Sequence, residues 1–400
     1  MEPLGPWAGA GCIAVAVSGG ADSLCLAILA ARWAASRGVV VLGLIVDHGL
    51  RAASAHEAAL TMRRLSAHGI DARLLSLGDL RHGAALAERA RIARYAALTA
   101  CCRAAGIVDL LVGHHAGDQA ETVLMRRRAH SGPDGLAGMA ALAETDDLRL
   151  LRPLLALPPD RLRATLRDAG IEWVEDPSNR DMRALRTRLR LELDDPTGEH
   201  GLAASLLREA AQEGERRMAR DIEQAGLLAG SVTLRPEGFA LLPPELVPAR
   251  AFAALVRIIA GAAYPPMPKA VAGLLRNPRP ATVAGTRLMP AGRLGPGWLL
   301  LREAARLGPP VAAAPDALWD GRFRLRAPVE AMPPGCVIDA VGADAAAGRT
   351  RTGLPSAVLA VMPTLRRADG SPLAGQGRFE FRPVLPATLR PVFLGPASSR

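Results

Sequence analysis

Short apolar runs alternate with stretches of helical periodicity over the first 130 residues of the chain. Runs of strand length lie at 12–17, 39–46, 72–77 and 109–113, and helical periods lie at 23–35, 54–68, 84–104 and 118–127. Such alternation is typical of βα units, whose strands form a parallel sheet. We therefore expect an α/β fold in which helices cover both faces of a parallel sheet.

The pattern changes after residue 195. An amphipathic stretch at 202–228 predicts a connecting helix, and its arginines are those of a solvated face or, alternatively, of a strut against RNA. Helical segments and a hairpin near 285–301 follow, and 312–400 is rich in proline and glycine with short apolar runs. The predicted parts are an α/β domain (1–195), a helical connector (196–229), a mixed α/β domain (230–311) and a small β-rich region (312–400).

A turn of small residues joins the first predicted strand to the first predicted helix. It reads Ser18-Gly19-Gly20-Ala21-Asp22-Ser23. Glycines leave room for a phosphate, and a helix N-terminus offers N–H groups and a favourable dipole. The turn predicts a phosphate-binding loop; the competing interpretation is an ordinary turn in which Ser18 or Asp22 caps the helix. It matches neither GxxxxGK(S/T) nor GxGxxG, which disfavours a P-loop NTPase and a dinucleotide fold.

Polar side chains also follow the other predicted strands, at the edge where parallel sheets bind their ligands. Asp47 directly follows the second predicted strand and suits either a contact with a nucleotide or metal or a turn. His115, Asp118 and Glu121 follow the fourth strand, and the spacing of the two acids lets both face one site. The alternative is a capping box in which Asp118 caps the helix and Glu121 completes it.

Arg91 and Arg94 lie close together on the predicted helix at 84–104. Guanidinium groups are planar donors that bind phosphate well. On this helix alone, a solvated surface is the preferred interpretation.

Composition narrows the class of protein. The formal net charge is +10 and comes almost wholly from arginine. Such a charge attracts nucleic acid, although a biased genome would also enrich arginine. No apolar run approaches the roughly 20 residues of a membrane span, and residues 1–17 lack the basic start of a secretory signal. Five scattered cysteines indicate reduced thiols in the cytoplasm, and the Cys101-Cys102 pair does not have the spacing of a zinc or iron–sulfur site.

The hexapeptide resembles the pyrophosphate loop of the N-type ATP pyrophosphatases, the PP-loop superfamily. Further blocks, in order along the chain, resemble one branch of it, the tRNA(Ile)-lysidine synthases. These blocks are VDHGLR at 46–51, ERARIARY at 88–95, HHAGDQAET at 114–122, SGPDGLAGM at 131–139, RPLL at 152–155 and WVEDPSN at 173–179, followed by Arg186, Arg188 and Arg190. The match is weak after residue 230.

The resemblance implies a PP-loop fold of the adenine nucleotide alpha hydrolase type and a defined reaction. Enzymes of this family use ATP and Mg²⁺ to adenylate the C2 oxygen of the wobble cytidine in an isoleucine tRNA with a CAU anticodon. The amino group of free L-lysine then displaces AMP and forms lysidine. The resemblance further implies that 230–311 binds tRNA.

The resemblance also implies residue roles. Catalysis would involve Asp22, His115, Asp118, Glu121 and Arg190. ATP would be bound by Ser18, Gly19, Gly20, Ala21, Asp22, Ser23, Asp47, Arg91 and Arg94. The other substrates would be bound by Asp118, Glu121, Asn179, Arg186 and Arg190. Asp22 would lie near Mg²⁺.

The chain departs from the family pattern at two places. Gly117 stands where the family carries the first of two adjacent acids, and Ala129-His130 replaces an Arg-Gly pair; the neighbouring Arg126, Arg127 and Arg128 are candidate substitutes for tRNA contact. Two other functions stay open: a tRNA cytidine thiolase of the same superfamily, and a non-catalytic RNA-binding protein with a relic loop.

Overall fold

The structure is a computed structural model of the 400-residue chain. It describes all residues except 2–3, 6, 8–10, 50–52, 79–82, 84–85, 146, 176–181, 183–184, 194–199, 327–333, 346–351, 374–378 and 383–400. The chain forms two compact units, Met1–Met218 and Ala219–Arg400. The division into four parts stays a prediction.

The first unit is the α/β unit that the sequence predicts. Its strands are β1 (Cys12–Ala16), β2 (Val40–Asp47), β3 (Asp71–Ser76), β4 (Asp109–Val112), β5 (Leu142–Glu144) and β6 (Arg149–Leu151). Its helices are α1 (Ala21–Ala35), α2 (Ser54–Ala67), α3 (Leu86–Ala104), α4 (Ala116–Arg128), α5 (Pro133–Leu136), α6 (Pro159–Asp168) and α7 (Leu185–Leu193), and α8 (Gly201–Ser231) continues into the second unit.

The six strands form one sheet in the order β3-β2-β1-β4-β6-β5. All neighbours are parallel except β5 and β6. In the centre, Ala14 of β1 pairs with Leu42 on one side and Leu110 on the other. The chain leaves β1 toward β2 on one side and later returns to β4 on the other, so the end of β1 is a topological switch point, where open α/β sheets bind their ligands.

Helix α1 is buried along most of its length against this sheet. Leu24, Leu26 and Ile28 are buried together with the strand residues Ile13 and Val15. A helix that is apolar on nearly all sides suits this position, because it packs between the sheet and α6. The helix thereby holds the turn that precedes it at a fixed place on the sheet.

The second unit carries a five-stranded antiparallel sheet in the order β7-β8-β11-β10-β9 and two three-stranded sheets, β12-β15-β16 and β13-β14-β17. The strands are β7 (Thr233–Arg235), β8 (Phe239–Leu242), β9 (Ala281–Val283), β10 (Thr286–Pro290), β11 (Trp298–Arg302), β12 (Val311–Ala312), β13 (Leu318–Trp319), β14 (Phe323–Leu325), β15 (Val337–Ala340), β16 (Pro363–Arg366) and β17 (Phe379–Phe381). The helices are α9 (Ala249–Ala260), α10 (Pro268–Arg276) and α11 (Ser356–Leu359).

The predicted hairpin near 285–301 is β10 and β11, paired from Thr286–Arg302 to Pro290–Trp298. On the buried face of this hairpin, Leu288 and Leu300 pack against α9. The pair β7 and β8, which precedes the helices, was not predicted. Residues 358–361 are one of the short apolar runs after residue 312, and they lie in α11 and the turn after it, not in a strand.

All five cysteines are free thiols, as the sequence predicts. Among the described residues, no helix is long and apolar enough to cross a membrane.

Candidate active site

The turn between β1 and α1 has the form of an open anion cradle. Gly19 has φ +87°, and a Cβ there would come within 2.5 Å of Thr61 Oγ1, so the position requires glycine. The Ser18 N–H donates to Ser23 Oγ over 3.0 Å, and the two hydroxyl oxygens lie 3.1 Å apart. The Gly19 carbonyl accepts from the Val174 N–H at 2.9 Å, which fixes the loop from the other side.

No side chain caps α1. Its N-cap residue is Gly20, and neither Ser18 nor Asp22 accepts a hydrogen bond from the first-turn N–H groups. The competing interpretation of the motif, a turn in which one of these residues caps the helix, is therefore wrong. The helix N-terminus is left available to an anion, because capping would otherwise satisfy its N–H groups.

Helix α4 begins with a histidine cap. His115 Nδ1 accepts from the N–H groups of Gly117 at 3.0 Å and Asp118 at 3.4 Å, while Asp118 Oδ2 accepts from the His115 N–H at 3.1 Å. The capping box therefore pairs His115 with Asp118, and the alternative box of Asp118 with Glu121 is wrong. Because Nδ1 accepts these bonds, the ring of neutral His115 carries its proton on Nε2.

The Nε2 atom of His115 lies close to acids of both parts of the site, the turn between β1 and α1 and helix α4. Its Nε2 lies 3.6 Å from Asp22 Oδ2 and 3.6 Å from Asp118 Oδ2. Asp22 Oδ1 is buried and has no hydrogen-bond partner among the described residues. Burial raises the pKa of Asp22, and Asp118 raises it further, whereas His115, Arg163 and Arg190 lower it. The turn and α4 thus converge on one acidic pocket.

Glu121 lies one turn further along α4 and is nearly inaccessible, with 1% of its side chain exposed. Its Oε1 accepts from Arg190 Nε at 2.9 Å, and Arg190 Nη2 lies at 2.9 Å from the same oxygen. Its Oε2 is buried without a hydrogen-bond partner among the described residues. Burial raises the pKa of Glu121, and Asp118 adds to the effect, against a lowering by Arg190 and Arg186.

A group of arginines lies in the region of His114, at the end of β4. Arg91 and Arg94 place their guanidinium groups 5.1 and 5.5 Å from the ring centre of Tyr95. Burial lowers the pKa of Arg94, and Arg91 and Arg186 lower it further because they lie within electrostatic range. The structure therefore brings together Arg91, Arg94 and Arg186, which the sequence separates widely. Clustered cations of this kind are stable when an anion lies among them.

Arg152 and His114 belong to the same region and were not among the predicted site residues. Arg152 Nε donates to His114 Nδ1 at 3.3 Å, and its Nη1 donates to the Ala140 carbonyl at 2.7 Å. Burial, together with Arg152, Arg91 and Arg186, lowers the pKa of His114 to about 4, although Asp118 opposes the shift. Arg152 directly follows β6, so the strand-end rule would have found it had this three-residue strand been predicted.

Asp47 forms a turn of its own at the end of β2. Its Oδ1 accepts from the Gly49 N–H at 2.9 Å, as the turn interpretation expects. Its role in ATP binding stays a prediction. Asn179 lies outside the described residues.

The block at 131–139 is clamped onto α4. Gln119 bonds to both the N–H and the carbonyl of Met139, at 2.8 and 3.1 Å. Arg126 Nη1 donates to the carbonyls of Gly135 at 2.9 Å and Gly138 at 2.7 Å. Arg127 pairs with Glu209 and Arg128 with Glu192. All three arginines thus have partners within the protein, and their suggested role in tRNA contact stays a prediction.

The two departures from the family pattern have local structural correlates. A Cβ at Gly117 would lie 2.9 Å from His115 Cε1, so glycine lets the imidazole close over the helix start. His130 has φ +51°, a left-handed conformation that the glycine of the usual Arg-Gly pair adopts without cost.

The acids suit a Mg²⁺ ion that also binds phosphate. No group of three His, Cys, Asp or Glu side chains in the described part of the chain could hold a metal by itself. Mg²⁺ in nucleotide enzymes is commonly held by one or two carboxylates and by substrate phosphates. The unpartnered Asp22 Oδ1, beside the phosphate cradle, fits such a ligand.

The chain is similar to known proteins over most of its length. A family model described as a PP-loop domain matches residues 2–195. The tRNA(Ile)-lysidine synthase of Ruegeria pomeroyi is 35% identical over 91% of this chain and 88% of its own. The enzyme of the same name from Bradyrhizobium sp. is 46% identical over 46% of this chain and 52% of its own. The match to that second relative thus spans about half of its length. A solved U34-tRNA thiolase from Methanococcus maripaludis is 17% identical, with a TM-score of 0.46 over 54% of this chain and 76% of its own.

Proposed function

Because the chain belongs to the tRNA(Ile)-lysidine synthase family, we infer that it is an ATP-dependent ligase that forms lysidine on tRNA(Ile). We propose that the acceptor is the wobble cytidine of the CAU anticodon and that the nucleophile is free L-lysine. One observation supports this most strongly: a phosphate cradle and two partly buried acids meet at His115, whose Nε2 lies 3.6 Å from Asp22 and from Asp118.

The first step is adenylation of the cytidine. The C2 oxygen attacks the α-phosphorus of ATP, a P–O bond forms, and pyrophosphate leaves. The Ser18–Ser23 turn binds the phosphates through backbone N–H groups, and Arg91, Arg94 and Arg186 lie where further negative charge can be balanced. A Mg²⁺ ion held by Asp22 would neutralise phosphate charge when bound. The proximity of His115 to both Asp22 and Asp118 keeps the Ser18–Ser23 turn and α4 in a fixed relative position.

The second step needs a base for lysine. A lysine ammonium is protonated near neutral pH and must lose a proton before its nitrogen can attack C2 and expel AMP. Glu121 Oε2 is buried and unpartnered among the described residues, so an ammonium is a natural partner for it. The pKa of Glu121 is raised by burial, which brings it closer to the range of an effective base. Arg190 orients the other oxygen.

His115 then serves as a positioning residue. Its Nδ1 already accepts two backbone N–H bonds, and its Nε2 faces two carboxylates. Neither nitrogen is therefore available to take a proton from a substrate. Its contribution is to hold Asp22 and Asp118 at a fixed separation. This positioning role differs from that of a residue that itself donates or accepts a proton in the reaction.

The two alternative functions are not favoured. The relatives that span most of the chain are lysidine synthases, and no pair of cysteines lies at this site in the part of the chain that the structure describes. We also propose a cytoplasmic location, supported by five free thiols.

The function is tested by nucleoside mass analysis. Purified protein is incubated with ATP, Mg²⁺, lysine and the CAU-anticodon tRNA, and the digested tRNA is examined for lysidine. We expect lysidine together with AMP and pyrophosphate. Thiolated cytidine, or AMP without any modified cytidine, would contradict the proposal.

A further inference from the structure

Helix α6 lies beside the site, although it falls between the blocks at 152–155 and 173–179 and belongs to neither. The Ala116 N–H, at the start of α4, donates to the Leu157 carbonyl at 3.0 Å. The chain therefore enters α6 next to the start of α4. Further along the helix, Leu162 and Leu166 are buried in the same core as α1. Helix α6 thus packs on α1 and begins close to the elements that form the site.

Arg163 of this helix lies near the phosphate cradle. It follows the buried Leu162, and 43% of its side chain is exposed. Helical side chains lean toward the N-terminus of their helix, which for α6 is the end beside α4. Burial raises the pKa of Asp22, and Arg163 is among the cations that oppose the shift, so its charge lies within electrostatic range of that carboxylate. Asp22 is in the first turn of α1, directly after the cradle.

The ion pair that Arg163 makes in the structure can be exchanged easily. Its Nη1 donates to Asp160 Oδ1 at 3.1 Å, three residues earlier on the same helix. The Asp160 side chain is 47% exposed, similar to that of Arg163. Exposed ion pairs contribute little to stability, because water screens both charges. A guanidinium binds a phosphate through two parallel hydrogen bonds, so a phosphate in the cradle competes with Asp160 for Arg163.

The other arginines of the site are placed differently. One group lies around His114, at the end of β4. Arg190 lies within electrostatic range of Asp22, but its guanidinium is bound to Glu121 at 2.9 Å. Arg163 is therefore the cation near Asp22 whose present partner is an exposed acid. Phosphates in the cradle need positive charge on this side, because the outer phosphates of a nucleotide carry most of its negative charge.

We propose that Arg163 binds the β- and γ-phosphates of ATP in the Ser18–Ser23 turn and holds the pyrophosphate as it leaves. The guanidinium exchanges Asp160 for phosphate oxygens when the nucleotide binds. When the bond between the α-phosphorus and the bridging oxygen breaks, its electron pair passes to that oxygen, and the charge of Arg163 stabilises the pyrophosphate formed. The proposal rests on the proposed function only in taking ATP as the nucleotide.

The test is nucleotide affinity, measured by calorimetry with Mg²⁺ and without tRNA or lysine. Arg163→Ala should weaken the binding of ATP and of pyrophosphate by roughly 10- to 100-fold, the range for hydrogen bonds to charged groups. The affinity for AMP should stay nearly unchanged, because AMP lacks both outer phosphates. Arg163→Lys keeps the charge but loses the planar fork, so it should restore part of the affinity.

Two variants on the same helix are the controls. Arg161→Ala makes the same change of charge at an exposed position and should leave ATP affinity unchanged. Asp160→Ala releases Arg163 from its present partner, so ATP affinity should stay the same or increase. Equal ATP affinity of the Arg163→Ala and Arg161→Ala variants would overturn the proposal, and so would an equal loss of ATP and AMP affinity. A raised KM for lysine with native ATP affinity would assign Arg163 to the lysine carboxylate instead.

Lysidine formation by the native protein is assayed in parallel, which separates this proposal from the proposed function. Lysidine together with native ATP and pyrophosphate affinity in Arg163→Ala refutes only the role of Arg163. Weakened binding of both ligands by Arg163→Ala, with no lysidine from the native protein, supports the phosphate contact and refutes only the proposed reaction.

Discussion

At the scale of single residues, the site depends on which polar atoms are satisfied and which are not. Glu121 and Asp22 each leave one buried carboxylate oxygen without a hydrogen-bond partner among the described residues. Such atoms are costly, because a buried charge is stable only when it is paired. A protein keeps them where a substrate or ion supplies the missing partner. In the enzyme without its substrate or ion, the unpaired oxygens therefore lower the free energy of unfolding.

Glu121→Gln tests this trade between stability and function. We expect lysidine formation to fall by about 10²–10⁴-fold, with ATP affinity nearly unchanged, because Gln cannot accept the proton of the ammonium. Burial raises the pKa of Glu121, so the folded protein binds this proton more tightly than the unfolded chain. Its contribution to stability is thus present below the ordinary pKa and declines as pH rises through the raised pKa.

The variant lacks that decline, so its melting temperature relative to the native protein should increase as the pH rises above the ordinary pKa of 4.5. Thermal unfolding at several pH values, combined with lysine-dependent kinetics, measures both effects. Native lysine transfer in the variant would rule out Glu121 as the base.

Asp22→Asn removes one charge beside the phosphate cradle with little change in shape. We expect ATP-dependent AMP release to fall by roughly 10²–10³-fold, because the charge balance around the phosphates changes. The fold should persist, because burial already disfavours the ionised carboxylate and raises its pKa. Asp71→Asn, at the exposed start of β3, is the control and should retain activity. Normal AMP release by Asp22→Asn would show that the acid is not needed.

At the scale of elements, two helix starts define the site, and they begin differently. Helix α1 begins at Ala21 after an uncapped glycine, which leaves its N-terminus open to an anion. Helix α4 begins at Ala116 with its first N–H groups already satisfied by His115. One start is therefore a binding element, and the other is a fixed support for Asp118 and Glu121.

The two glycines of the turn should respond differently to substitution. Gly19→Ala places a Cβ 2.5 Å from Thr61 Oγ1 at φ +87°, and we expect it to lower the free energy of unfolding by about 1–2 kcal/mol or more. Gly20→Ala, at φ −70° with no neighbour closer than 3.6 Å, should fold normally but bind ATP more weakly, because the methyl group occupies the cradle. Denaturant unfolding and ATP titration distinguish the two. Equal stability of both variants would contradict the described turn.

Much of this fold could be predicted from the sequence, and particular elements show the physical reasons. The strands β1, β2, β3 and β4 were found within a few residues. Strands β1, β2 and β4 are largely buried, and buried parallel strands are continuous apolar runs, whereas β3 is a mostly exposed edge strand. The three-residue strands β5 and β6 show no period, so they were missed, and Arg152 was missed with them. The start of α4 was predicted two residues late, because histidine is not among the usual N-cap residues.

The contacts between residues far apart in the chain could not be predicted from the sequence. Arg190 and Glu121 were each predicted for the site from the family blocks, but nothing in their spacing showed that they pair at 2.9 Å. Likewise the long helix α8 has Arg216 paired with Glu213 and Arg217 bound to the Asp134 carbonyl, which supports the interpretation as a connector. Such pairings depend on the folded chain as a whole.

At the scale of the whole molecule, the chain combines an α/β unit that activates a nucleotide with a strand-rich unit. The formal net charge of +10 favours association with RNA, and this association should weaken with salt. We propose that the chemistry takes place in the first unit, where the Ser18–Ser23 turn and the acids of α4 meet.

Lysidine formation through adenylation of the wobble cytidine is tested by counting products in one reaction. Labelled lysine and labelled ATP are supplied with CAU-anticodon tRNA, and lysine joined to tRNA, AMP and pyrophosphate are measured together, with a tRNA bearing uridine at the wobble position as control. We expect equal amounts of all three products and none of them with the control tRNA. AMP release that proceeds equally on the control tRNA, or without lysine incorporation, would contradict it.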